Sequence, residues 1–313
     1  MKWDYEHFGD LMVFNTTYRT NKYGMICAPF VGKNHHNNNV MFGMGFVLDE
    51  KTSSFIWLFE SFMRSMGGGR HPITIMTDQA SSIAVDRVAI ITGASRGIGR
   101  GVALHLASIG AKLVINYTSP SSKTHADQLV SQINSLSISS ITTLRAIAVQ
   151  ADVSDETQVK ALFNTAEQTF YTQPHIVVTS AGGTFLCIKE ADNRVKRGGG
   201  GRIVTVSSSV VGSLKQKYGA YAASKAAVEA MTTILAKELK GSGITVNAVA
   251  PGPVATEMFF EGKSEEMVKK IADECPLKRL GKVEDVASLV RFLGSDAGGW
   301  VNGQIIRVNG GYA

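Results

Sequence analysis

The run Val85-Asp86-Arg87-Val88-Ala89-Ile90-Ile91-Thr92-Gly93-Ala94-Ser95-Arg96-Gly97-Ile98-Gly99-Arg100 decides how this chain is read. A short apolar stretch with β-branched residues, Val88 to Ile91, breaks into glycines at 93, 97 and 99, and then into the apolar Val102, Leu104 and Leu106. That order is strand, phosphate-binding turn, helix. Glycines let backbone approach a pyrophosphate closely, and the helix behind them offers free N–H groups and the positive end of its dipole. Glycine spacing alone leaves an ordinary βα turn equally open.

Downstream of this run, strands and helices alternate. Strands are expected at 88–91, 112–116, 146–151, 175–179, 202–206, 244–249 and 304–308, with helices ending near Ser108 and spanning 124–136, 156–170, 185–197, 221–239 and 283–293. Strict alternation with nearly continuous apolar strands describes an α/β fold with a doubly wound parallel sheet buried on both faces. Ligands in such a sheet bind at the carboxyl ends of its strands.

Residues 1–80 read differently. Strands at 11–14, 25–31 and 40–48, an amphipathic helix at 53–66 and a strand at 73–76 give the order β-β-β-α-β.

Composition narrows the function classes. With 313 residues and 44% hydrophobic content the chain is long enough for one or two cores. A net charge of +6 suits an anionic cofactor and does not by itself point to nucleic acid. Cys27, Cys187 and Cys275 are far apart and are expected to be free thiols. No run reaches the ~18 apolar residues of a membrane span, so no membrane partner is expected. Met1-Lys2-Trp3-Asp4-Tyr5-Glu6 has neither a secretory core nor transit-peptide character, which makes cytoplasm the default expectation.

Within residues 1–80, Phe14 to Tyr23, Asn34-His35-His36 and Thr77-Asp78-Gln79 resemble the catalytic core of Mutator-like transposases and the plant far-red-response regulators. The resemblance implies a partial ribonuclease-H-like α+β fragment. That family carries three metal-binding carboxylates; here Asn15 stands at the first, Asp78 at the second, and nothing supplies the third. Two-metal chemistry needs anionic oxygen ligands. A fragment without nuclease activity and without a metal site is therefore expected, with His35 and His36 as loop histidines.

Tyr221-Ala222-Ala223-Ser224-Lys225 places a phenol and an ammonium on one helix face. At about 5 Å and an effective dielectric near 20 the ammonium favours the phenolate by on the order of 3 kcal/mol, suiting the phenol to proton transfer near neutral pH. Upstream, Ser207-Ser208-Ser209-Val210-Val211-Gly212 follows a strand and can bring a hydroxyl beside that phenol.

Together with Thr92 to Gly99, Asn247-Ala248-Val249-Ala250-Pro251-Gly252-Pro253-Val254-Ala255-Thr256 and the ending Val301 to Gly311, these motifs resemble the short-chain dehydrogenase/reductase family over about 84–313. The resemblance implies a Rossmann-type sheet and an NADP(H)-dependent oxidoreductase that reduces a small-molecule carbonyl, aldehyde or ketone, to an alcohol. Tyr221 is then the general acid, Lys225 tunes it and holds the nicotinamide ribose, and a serine hydrogen-bonds the substrate carbonyl. The Ser-x-x-Gly pattern selects Ser209, whereas the family's usual interval to the tyrosine selects Ser208; Ser209 is taken, because the loop from Gly212 to Tyr221 can absorb one residue.

The cofactor set implied by the resemblance begins with Gly93, Ser95, Arg96, Gly97, Ile98 and Gly99. It continues through Asn116, Asp152, Val153, Ala181 and Gly182, joins Tyr221 and Lys225, and ends at Pro251, Gly252, Val254 and Thr256. Asp152 has a second reading as the cap of the next helix. Asn116-Tyr117-Thr118-Ser119 holds no acid for a ribose 2′-hydroxyl, while Arg96 can meet a 2′-phosphate, which selects NADPH. Met258, Phe259 and Phe260 form either an apolar lid or a plug.

Two departures qualify the resemblance. Thr179 replaces the family's asparagine before Ser180-Ala181-Gly182, and Gly183 runs directly into Thr184-Phe185-Leu186-Cys187, omitting a stretch usual there. A helix from 184 to 197 would span about 21 Å, enough to close the crossover. The omission is expected to impair turnover and to weaken any homo-oligomer. A catalytically silent nucleotide-binding protein is the alternative, and a nucleic-acid protein acting through residues 1–80 the weakest one.

Overall fold

The computed structural model describes residues 11–14, 26–33, 39–47, 52–66, 74–77, 87–135 and 144–313. The chain divides into two compact units, Met1–Ser81 and Ser82–Ala313.

In the first unit, strands β1 (Leu11–Phe14), β2 (Ile26–Lys33) and β3 (Asn39–Val47) are followed by α1 (Thr52–Ser65) and β4 (Thr74–Thr77). The sheet order is β3-β2-β1-β4; β1 and β2 and β2 and β3 pair antiparallel, and β4 runs parallel to β1. Pairs Phe30 with Gly43 and Val31 with Met41 leave Phe42 as an extra, buried residue on β3. Its neighbours Gly43 and Gly45 let α1 lie close: a Cβ on Gly45 would sit 2.1 Å from Leu58. Phe30 stacks on Phe62 with ring centroids 4.0 Å apart, completing a small core with Phe42 and Leu58. Asn15, His35, His36 and Asp78 lie outside the described residues.

The second unit is the expected doubly wound sheet. Its elements run β5 (Val88–Thr92), α2 (Gly97–Ser108), β6 (Lys112–Tyr117), α3 (Lys123–Ser135), β7 (Ala146–Gln150), α4 (Glu156–Phe170), β8 (Ile176–Thr179) and α5 (Thr184–Arg194). Then come β9 (Gly201–Val206), α6 (Val210–Ser213), α7 (Gly219–Glu238), β10 (Ile244–Pro251), α8 (Glu257–Phe260), α9 (Glu265–Glu274), α10 (Val283–Gly294) and β11 (Ile305–Val308). Seven strands in the order β11-β10-β9-β8-β5-β6-β7 pair parallel throughout. Every residue of β5, β9 and β10 is buried, because helices cover both faces. Leu106, Leu129 and Val290, from α2, α3 and α10, line one face, and Phe163, Cys187 and Leu235, from α4, α5 and α7, line the other.

The expected helix over 185–197 ends earlier, at Arg194. Val195 is extended (ψ 134°), and Gly198, Gly199 and Gly200 all take positive φ. Even at 11 residues, about 16 Å of helix, the crossover closes, and β8 and β9 pair directly from Ile176 to Thr179.

Candidate active site

The glycine turn sits at the carboxyl end of β5 because the chain there must reverse into α2 with almost no room. Gly93 and Gly97 have φ of 63° and 56°, and a Cβ on Gly99 would lie 2.4 Å from the Gly93 carbonyl oxygen. Only glycine fits such contacts without strain. Thr92 ties the turn to the next strand: its hydroxyl accepts from the backbone N–H of Ser180 (3.0 Å) and Ala181 (3.3 Å). Ser95 is buried, Ile98 half-buried and Arg96 exposed.

These residues fit a dinucleotide. No side chain caps the N-terminus of α2, so its first N–H groups remain open to an anion. The Arg96 guanidinium makes no hydrogen bond or ion pair among the described residues. Thr256 comes from the other side of the turn, with its methyl 3.6 Å from where a Cβ on Gly97 would be. Thr256 itself caps α8, accepting from Phe259 N–H at 3.3 Å. Val254 is buried, and Gly252 passes so close to Asn309 that a Cβ would meet it at 2.8 Å. Pro251 ends β10 at the same edge.

Asn116 has a different job from the one expected. It is fully buried, its Oδ1 accepts from Gly93 N–H at 3.2 Å, and its Nδ2 donates to the Ala151 carbonyl at 3.0 Å. The amide fastens the turn to β6 and β7 and has no surface left for a ribose. Asp152 accepts from the N–H (2.9 Å) and hydroxyl (2.7 Å) of Ser154, which holds its carboxyl below the usual range. The cap of α4 is Asp155, not Asp152. Val153 is buried, and its carbonyl backs onto Gly183. Ala181 is half-buried and Gly182 exposed.

Tyr221 lies in the first turn of α7 with 46% of its surface exposed. Lys225 Nζ is 5.9 Å from the centroid of that ring and donates to the Val206 carbonyl at 2.8 Å. Burial pushes the Lys225 ammonium below its ordinary pKa. The serines separate by environment. Ser209 is buried, donates to the Ala250 carbonyl at 2.9 Å and accepts from Asn309 Nδ2 at 3.0 Å. Ser207 is buried and donates to Glu229 at 2.7 Å. Ser208 is half-buried, and its hydroxyl accepts only a long bond, 3.3 Å, from Val210 N–H. The preference for Ser209 is therefore corrected: its hydroxyl is committed to locking β10 to the loop after β11. Asn309 gave no warning in sequence, and the interval from Tyr221 back to Ser208 points to the serine whose hydroxyl is less committed.

Met258 and Phe260 remain exposed, so the segment does not plug the site. Thr179 is buried at the end of β8 with its hydroxyl unpartnered. Among the described residues no cluster of His, Cys, Asp or Glu could hold a metal ion, and no helix is long and apolar enough to cross a membrane.

Compared with known protein families, residues 87–185 match the one described as short chain dehydrogenase, and residues 174–313 match enoyl-(acyl carrier protein) reductase. The chain belongs to the short-chain dehydrogenase/reductase family. Among curated members, it is 54% identical over 255 residues to an NADPH-dependent aldehyde reductase-like protein, chloroplastic, of Arabidopsis thaliana, covering 72% of this chain and 94% of that one. It is 47% identical to NADPH-dependent aldehyde reductase 2, chloroplastic, of the same plant, covering 72% and 93%. Among solved members, a blue fluorescent protein from a metagenomic library, in complex with NADPH, superposes with a TM-score of 0.67 at 31% identity, covering 73% of this chain and 98% of that one.

Residues 11–89 match the MULE transposase domain. The cytoplasmic expectation is overturned, since both reductase relatives are described as chloroplastic. It rested on the first residues of the chain, which belong to a separate unit with its own family match.

Proposed function

We propose that this short-chain dehydrogenase/reductase reduces an aldehyde or ketone to the corresponding alcohol with NADPH, as its Arabidopsis relatives are named for doing with aldehydes. One observation carries the reading: a half-exposed phenol, Tyr221, with the Lys225 ammonium 5.9 Å from its ring, stands on the helix that follows the serine loop at the sheet's carboxyl edge. When bound, NADPH supplies the hydride. Its pyrophosphate would lie on Gly93 to Gly99 and the N-terminus of α2, its 2′-phosphate against Arg96, and its nicotinamide end toward Val254 and Thr256. Ser208 hydrogen-bonds the substrate oxygen, Tyr221 donates the proton to that oxygen and becomes a phenolate, and the Lys225 ammonium beside it offsets that negative charge until the phenol is reprotonated from solvent. Met258 and Phe260 supply apolar cover for the substrate. Absorbance at 340 nm with reactive aldehydes and diketones tests this: NADPH consumption supports it, and none with any of them refutes it.

A second reading, cofactor binding with little turnover, draws on Thr179 and on the short crossover after Gly183. The hydroxyl that stands in for the family's asparagine is buried without a partner. Tight NADPH binding without consumption would favour it. The shortened α5 also leaves Phe185 exposed, and we expect any homo-oligomer to be weaker than one with a full helix there.

For residues 1–80 we keep the reading of a partial ribonuclease-H-like, Mutator-like fragment. Supporting it are the order β3-β2-β1-β4 with β4 parallel to β1, and the MULE match. The second unit, 84–313, is read as the reductase domain.

A further inference from the structure

The seven-stranded sheet has a second opening, at the edge opposite the glycine turn. Residues that precede or begin β5, β6, β8 and β9 line an open cavity of about 570 Å³, a size ordinary for small-ligand sites. Arg87, Lys112, His175 and Lys196 line it, with Phe170 and Gly200. Among the described residues, no carboxylate lines it.

Three features make this cavity a built site for an anion. Arg87 reaches Asp296 through Nη2, but its Nη1 is buried with no partner, and Asp296 is shared with Arg202. That nitrogen is closed off from solvent, so the contribution of Arg87 to the cavity is its charge, which one carboxylate shared by two guanidinium groups does not fully offset. Gly200, at φ +80°, is where the guanidinium lies against backbone; a Cβ there would be 3.2 Å from Nη2. His175 Nδ1 accepts from Val88 N–H at 3.3 Å, so in the neutral ring the proton is on Nε2, the other edge, as a donor. Burial, helped by Lys196 and Arg87, lowers the His175 pKa to about 4 and keeps that tautomer at neutral pH.

We propose that this cavity binds a small oxyanion of the phosphate or phosphomonoester class, at a site separate from the cofactor turn. Arg87 supplies charge, and the Lys196 ammonium and the His175 Nε2–H supply directional donors. Phe170 adds an apolar wall for the organic part of a monoester. The site lies across the sheet from Tyr221, so its occupancy stabilises the unit without competing for substrate.

The test is calorimetric titration of the full chain with inorganic phosphate and, separately, phenyl phosphate, in saturating NADP+ so that the glycine turn is already filled. Saturable binding is expected, weakened about tenfold or more by Lys196→Glu, the loss of one charge-assisted contact. Lys196 is exposed, and NADPH affinity should be unchanged in that variant. Lys196→Ala, which adds no charge, should weaken binding in the same direction. Tighter binding of phenyl phosphate identifies an organic ester as the occupant, and tighter binding of inorganic phosphate identifies the free ion. Absence of saturable binding at millimolar concentration, binding indifferent to both Lys196 variants, or binding abolished by Arg96→Ala at the cofactor turn overturns the proposal.

Discussion

The side-chain amide of Asn309 donates to the Ser209 hydroxyl at 3.0 Å, and that hydroxyl in turn donates a hydrogen bond to the Ala250 carbonyl at 2.9 Å. Ser209 is thereby a structural fastener, which supports the substrate role proposed for the neighbouring Ser208. Ser209→Ala should lower stability by about 1–3 kcal/mol, the range for breaking a buried hydrogen bond, with kcat per folded molecule little changed. Ser208→Ala should do the reverse. Urea denaturation alongside steady-state kinetics separates the two, and the opposite pattern would return the catalytic role to Ser209.

Gly183 is the joint at which the shortened crossover closes. With φ +72° and a Cβ position only 1.9 Å from the Val153 carbonyl oxygen, it has no room for any other residue. Gly183→Ala should destabilise by well over ~1 kcal/mol, the usual glycine-to-alanine conformational effect, because the clash is with backbone. A denaturation midpoint equal to the parent's would show that the joint is looser than described.

Arg96 is exposed and uncommitted at the mouth of the glycine turn. Arg96→Ala should raise KM for NADPH by roughly tenfold or more, the worth of a charge-assisted bond to phosphate, and leave KM for NADH nearly unchanged. Equal effects on both cofactors would remove Arg96 from the choice between them.

Residues that set the fold were easier to read than those that set the site. Val88 to Ile91 and Ile244 to Val249 announce themselves as parallel strands, because strands buried on both faces are apolar throughout. Ser208 and Ser209 are chemically identical in sequence, and only the distant Asn309 distinguishes them. The resemblance placed Asn116 among the cofactor residues, yet its four polar neighbours are backbone groups from three parts of the chain. Helix α9 escaped notice although Met267, Val268 and Ile271 fall at helical spacing; none of its residues is buried, so that stripe is not part of the core, unlike the one on α10.

His175 links stability to pH. Its pKa is about 4 in the folded protein against 6.5 ordinarily, so between those values the unfolded chain binds the proton and the native state does not. Stability contributed by the neutral ring is therefore full above about pH 6.5 and is lost as pH falls toward 4. His175→Gln should show a smaller drop in melting temperature between pH 7 and pH 5 than the parent. Identical pH profiles would mean that the ring titrates alike in the native and unfolded states.

Tyr221→Phe tests the central claim most directly. The substitution removes one oxygen from a half-exposed side chain, so NADPH affinity measured by fluorescence should stay within about twofold. NADPH oxidation with an aldehyde the parent reduces should fall by at least about 10²-fold, the scale of general-acid catalysis. A Tyr221→Phe enzyme that binds NADPH and reduces the aldehyde as fast as the parent would contradict the account.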